Sequence, residues 1–102
     1  MVDRARNDLT VYDTVAADWW SDDIRWVRTL KNMVPARMSW FEKHTGWADK
    51  KVLDLGCAGG FMAEAIAEAG GIVTGIDPAE QAIEAAWERS RQTGQEIRYD
   101  VG

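Results

Sequence analysis

The sequence predicts an α/β fold, a parallel sheet whose first three strands run β-α-β-α-β, preceded by a helical segment. Three observations carry this. The runs "KVLDL" (51–55), "IVTGI" (72–76) and "EIRYDV" (96–101) are short and β-type. The stretches between them, 60–70 and 79–94, repeat their apolar residues at helical spacing. Residues 1–49 lack this alternation, look all-helical and hold five of the six tryptophans. Two parts follow: a helical cap segment over 1–49 and the first half of a ligand-binding domain over 50–102.

In the cap segment, Tyr12, Val15, Ala16 and Trp19 recur at helical spacing. A second helix is expected over 23–32, with Ile24, Val27 and Leu30 on one face. Pro35 suits the first turn of a third helix carrying Met38 and Phe41 to His44, and Gly46 suits its stop. Beyond the first strand, Met62, Ala65, Ile66 and Ala69 form one helical face, with Gly70 as the stop. Beyond the second, Ala79, Ala82, Ile83, Ala86 and Trp87 are expected to face inward. Strands separated by single helices imply parallel pairing and right-handed crossovers. An all-parallel sheet is normally covered on both faces. A sheet that stops after three strands keeps open edges. The chain therefore reads as the N-terminal part of a longer protein, with self-association through the open edge as an expectation.

The 102 residues allow one small domain, and 46% hydrophobic with 28% charged residues is the balance of a packed core rather than of disorder. A net charge of −5 lacks the footprint of nucleic-acid binding and gives no attraction to an anionic membrane. One cysteine, Cys57, excludes an intrachain disulfide and a thiolate zinc cluster. It suits a reducing, cytoplasmic setting. The N-terminal "MVDRARNDLT" has no apolar core of a secretory signal, and no stretch is long and apolar enough to span a membrane. Peripheral membrane contact of a longer protein is left open.

The chemistry lies in "VLDLGCAGG" (52–60). A strand, a glycine loop and a helix form the ligand site of Rossmann-like folds. Glycines let the chain turn sharply and let a ligand approach the backbone. The dinucleotide pattern G-x-G-x-x-G, counted from Gly56, needs glycine where the chain has Ala58 and Phe61. The Gly-Lys-Ser/Thr ending of a phosphate loop is also missing. Asp54 would repel a pyrophosphate by about a few kcal/mol at low effective dielectric. A cationic ligand is favoured instead, and S-adenosylmethionine, with its sulfonium and ammonium groups, fits. Asp77 follows Gly56 by 77 − 56 = 21 residues, the distance at which a carboxylate accepts from a ribose diol.

"VLDLGCAGG" with "VTGID" resembles the first two cofactor motifs of class I S-adenosylmethionine-dependent methyltransferases. Upstream, "YDTVAADWW" and "NMVPARMSWF" stand at distances similar to those of the ubiquinone biosynthesis O-methyltransferase family. The resemblance runs from about Val11 to Val101. It implies that Arg37, Gly56 and Asp77 contact the cofactor, with Arg37 pairing the methionine carboxylate through its guanidinium. The candidate cofactor-binding set is Arg37, Asp54, Gly56, Cys57, Ala58, Gly59, Gly60 and Asp77. Ala58 departs from the glycine usual there. The resemblance further implies in-line methyl transfer to a phenolic or catechol quinone precursor, with acceptor site and general base largely outside these residues. No catalytic residue and no metal ligand is assigned. The chain alone is expected to bind cofactor weakly and to turn over nothing.

Other roles are open to these residues. The loop also reads as a tight strand-to-helix turn with no ligand, and Arg37 as a solvated helix residue. Asp77 in "DPAE" also reads as a helix N-cap, with Pro78 at the first helical position and Glu80 closing a capping box. Trp19 and Trp20 suit core and cover, with a lid over the cofactor as the alternative. Cys57 suits packing rather than nucleophilic attack. His44 suits a helix C-terminus, and Glu80, Glu84 and Glu88 a solvated face. The rival functional classes are another small-molecule methyltransferase, a nicotinamide oxidoreductase, and a non-catalytic binding module.

Overall fold

A computed structural model describes residues 10–102. The first nine positions of the cap segment, with most of the stretch read for a secretory signal, lie outside the described residues.

The three strands form as expected: β1 (Lys51–Leu55), β2 (Ile72–Asp77) and β3 (Arg98–Val101) build a parallel sheet in the order β1-β2-β3. Val52 pairs with Val73, and Gly75 with Tyr99. β3 is shorter than expected: its pairing with β2 begins at Arg98, and Ile97 packs in the core just before it.

Two helices cross over between the strands, α4 (Phe61–Glu68) and α5 (Glu80–Thr93). Gly70 ends α4 as expected: its N–H reaches the Ala67 carbonyl, and the Gly71 N–H reaches Ile66, the paired bonds of a Schellman motif. Ala63 and Ile66 of α4 and Ile83 and Ala86 of α5 bury against Val73, Ile97 and Tyr99. Alternate strand positions face the other way, and Leu53, Leu55 and Ile72 remain 56%, 72% and 56% exposed. One sheet face is thus covered and the other is open.

Trp87 does not face inward as expected. It is 45% exposed and lies beside the outermost strand, where its indole N–H donates to the Tyr99 carbonyl at 3.2 Å. The helical period gave its direction, and the ring meets the core Tyr99 ring edge-on at 6.4 Å while much of it stays exposed. Glu80, Glu84 and Glu88 are exposed, as their spacing suggested.

The cap segment is helical: α1 (Thr10–Val15), a 3-10 turn (Ala16–Asp18), α2 (Arg25–Asn32) and α3 (Val34–Glu42). The single helix expected through Trp19 is broken after Val15. The tighter turn brings Trp19 inward, where it is 2% exposed and stacks on Phe61 at 5.2 Å. Val27 of α2 and Ala58 complete this second core. Burying an aromatic ring of this size stabilises by about 2–3 kcal/mol. Pro35 sits in the first turn of α3 as expected. Gly46 is not its stop: α3 ends at Glu42, capped by Lys43, and Gly46 has no left-handed backbone. Met38 packs on the core, whereas Phe41 is 36% exposed and meets Trp47 edge-on.

Candidate functional site

β1 runs directly into the glycine loop. The N–H groups of Gly56 and Cys57 both donate to the Ile76 carbonyl, at 2.8 and 3.2 Å, which fastens the loop to the end of β2. Asp77 adds a second fastening. Its Oδ2 accepts from the Ala58 N–H at 2.8 Å, and its Oδ1 accepts from the Ala79 N–H at 2.8 Å. The carboxylate is 7% exposed and joins the loop after β1 to the loop after β2. The capping-box reading is therefore corrected. Ala79 is the N-cap of α5, with no side-chain cap, and Glu80 is the first helical residue. Asp77 binds the N–H two residues on, in the manner of an Asx-turn.

Gly56 has φ +73°, and a Cβ there would meet no heavy atom within 4 Å. The backbone is open at this point. Gly59 is the opposite case, because a Cβ would lie 1.9 Å from Trp19 Cδ1. Only a residue without a side chain lets the indole lie on the loop. The Gly60 N–H donates to the Cys57 carbonyl at 3.0 Å, closing a turn around Ala58 and Gly59. Ala58 holds φ +47°, a conformation that costs an L-residue about 1–2 kcal/mol. Its methyl is buried against Trp19, Val27 and Phe61, which offsets part of that strain. This accounts for alanine in a loop of glycines.

The loop opens onto a cavity of about 450 Å³. Arg37 of α3, Asp54, Gly56, Cys57, Ala58 and Asp77 line it together. Six of the eight sequence-chosen residues thus meet around one space. Gly59 and Gly60 do not line it; they lie buried on the inner side of the loop. Tyr12, Trp19, Leu30, Val34, Leu55, Phe61, Met62 and Pro78 complete the wall and lie outside the candidate set, although the lid alternative for Trp19 put it over the cofactor. Tyr12 and Trp19 stand seven residues apart, a helical spacing that gave a shared face but no partner. Asp13, also missed, accepts from the Gln81 N–H at 3.0 Å and ties α1 to the start of α5.

Burial raises the Asp54 carboxyl above its usual range, and the Asp77 charge adds to the effect. Among the described residues no Lys or Arg forms an ion pair with Asp54. The cavity therefore offers a carboxylate lacking a protein cation. Burial likewise pushes the Cys57 thiol up to about 12, with Asp54 and Asp77 contributing, so it is no thiolate nucleophile at neutral pH. Among the described residues, no cluster of three or more His, Cys, Asp and Glu side chains is placed to hold a metal ion.

A family model for a methyltransferase domain matches residues 52–102, half of the chain, and the match begins in β1 and takes in the loop. The chain belongs to the methyltransferase domain family. Within that family, the ubiquinone biosynthesis O-methyltransferase of Idiomarina loihiensis is 39% identical over 93 residues, covering 90% of this chain and 38% of that protein. Its counterpart in Aromatoleum aromaticum is 37% identical over 92 residues, covering 90% and 39%. The chain thus spans about two fifths of the length of the curated relatives it matches. The resemblance drawn from the motifs is borne out by these relatives. The magnesium protoporphyrin IX methyltransferase of Synechocystis PCC 6803, solved with bound SAM, superimposes with a TM-score of 0.69 over 97% of this chain and 56% of that one. At 18% identity this likeness concerns the fold of the methyltransferase domain alone.

Proposed function

We propose that this chain is the cofactor-binding part of an S-adenosylmethionine-dependent methyltransferase acting on the oxygen of a phenolic or catechol quinone precursor. The single observation that carries the reading is the unpaired, half-buried Asp54 carboxylate beside an open glycine backbone. That combination fits a ligand that is cationic where it meets Asp54 and needs close backbone approach.

When bound, S-adenosylmethionine supplies a methyl group activated by the sulfonium. The residues of this chain bind and orient. Arg37 offers a planar two-donor fork to a carboxylate. Asp54 favours the cationic end. Gly56, Cys57 and Ala58 present backbone, and Asp77 offers its remaining lone pairs to a ribose diol. Trp19 and Tyr12 exclude water from the inner wall. No residue here is assigned as the base that takes the acceptor's proton.

The relatives named for ubiquinone biosynthesis support the acceptor class. No described helix is long and apolar enough to cross a membrane, which fits a cytoplasmic enzyme. Calorimetric titration with S-adenosylmethionine, its demethylated product and NADH tests the cofactor. Saturable binding of the first two and none of NADH is expected, and the reverse order would sink the reading. A methyl-transfer assay of the 102-residue chain against a longer one, with catechol acceptors, tests the acceptor class. Turnover by the longer chain alone is expected.

A further inference from the structure

We propose that Trp20 is a positioning residue for the glycine loop: its indole N–H holds the Gly59 carbonyl, fixing the 59–60 peptide on the inner side of the loop and, through the Gly60 bond to Cys57, the stretch from Gly56 to Ala58 that lines the cavity. This deepens the reading of the site as a cofactor cradle and rests on it. The indole N–H donates to the Gly59 carbonyl at 2.8 Å, in a half-buried setting. The other polar group of the same peptide, the Gly60 N–H, donates to the Cys57 carbonyl. Both ends of the 59–60 peptide are therefore held, and its plane cannot turn without breaking a bond.

Trp20 is itself held in place. Its ring meets Phe61 edge-on at 4.6 Å. The Arg89 guanidinium lies over the ring, 4.3 Å from its centroid. Arg89 is fixed in turn by two hydrogen bonds to Glu64, at 3.2 and 3.3 Å. A chain of contacts thus runs from Glu64 on α4, through Arg89 on α5, to the cap segment and down onto the loop. Covering Phe61 requires only an aromatic face. The N–H aimed at a loop carbonyl is what a phenyl ring would lack. The neighbouring Trp19 also crowds Gly59, since it leaves no room for a Cβ. The two adjacent tryptophans divide the work: one fills space against the loop, the other sets its hydrogen bonding.

The test uses the 102-residue chain, isotopically labelled, titrated with S-adenosylhomocysteine and followed by NMR. Trp20→Phe keeps the ring and removes the donor. A second variant carries benzothienylalanine at position 20, where sulfur replaces the N–H in a ring of nearly the same shape. Both are expected to bind about three- to tenfold more weakly at a temperature where all the proteins are folded. The Gly60 amide should exchange faster in both. Unchanged affinity and exchange in the sulfur variant would overturn the proposal, whatever Trp20→Phe does to folding. No binding by the unsubstituted chain would instead overturn the reading of the site, and the proposal with it.

Discussion

The Ala58 amide donates to Asp77 Oδ2 at 2.8 Å, so the last residue of β2 holds the loop that follows β1. The same carboxylate accepts from Ala79. Asp77→Ala would leave two buried N–H groups without a partner, costing about 2–4 kcal/mol. The expected outcome is a fall of at least about 8 °C in melting temperature together with loss of cofactor binding. Scanning calorimetry and titration of the same sample check it. A variant that loses binding while melting normally would show that the fastening role is minor.

Asp54 should respond in opposite directions. Its folded-state pKa lies above the ordinary value, so between the two pKa values the folded chain keeps a proton that the unfolded chain has lost. Stability from this group is present below the unfolded pKa and lost as pH rises through the folded one. Asp54→Asn should therefore melt higher at pH 7 and flatten the pH dependence in the acid range. Cofactor affinity should drop about tenfold, because the cation loses its carboxylate. In the unsubstituted chain, affinity should fall as pH drops through the folded pKa. Lower stability with intact affinity would refute both arms.

At Ala58, relief of the strain at φ +47° and loss of a buried methyl nearly cancel. Ala58→Gly should stay within about 1 kcal/mol of the parent. Ala58→Val places a β-branched side chain where φ is positive and should be destabilised by several times that amount. Denaturant titration of the pair measures the contrast, and equal midpoints would contradict the loop geometry.

Gly59→Ala collides with the Trp19 indole. Trp19 should be driven off the loop, with its emission shifting to the red. The α4 and α5 layer on the sheet should keep its far-UV signal, because Ala63, Ile66, Ile83 and Ala86 make no use of Trp19.

Cys57 should resist thiol reagents at pH 8 in the folded chain and react at once in denaturant, since burial raises its pKa to about 12. Rapid native labelling would mean that the loop opens.

The sheet, its two crossover helices and the glycine loop were legible because their signals are local. Period, punctuation by Gly56 and Gly70, and strand-end carboxylates all lie within a few residues of what they control. Arg37, Asp54 and Asp77 could be named as site residues for the same reason, with the family resemblance supplying Arg37. What could not be read were contacts between distant segments. Nothing near Trp20 announces the Gly59 carbonyl, nothing near Asp13 announces the Gln81 amide, and the Asp77 bond to the Ala58 amide does not follow from "DPAE". The break after Val15 belongs to this class too, because the 3-10 turn after it leads Trp19 onto Phe61, a residue of α4. Trp87 shows the limit of periodicity, which points a side chain but does not say how far its neighbours will cover it.

The tether between Asp13 and Gln81 spans 68 residues, whereas Val52 and Val73 pair across 73 − 52 = 21. Closing the longer loop from an open chain costs about 1 kcal/mol more entropy than closing the shorter. Strand pairing of β1 with β2 therefore comes at lower entropic cost, and the cap contacts become affordable once α5 is already docked. The cavity wall made by Tyr12 and Trp19 is then expected to form after the sheet, so that the site closes from the loop outward.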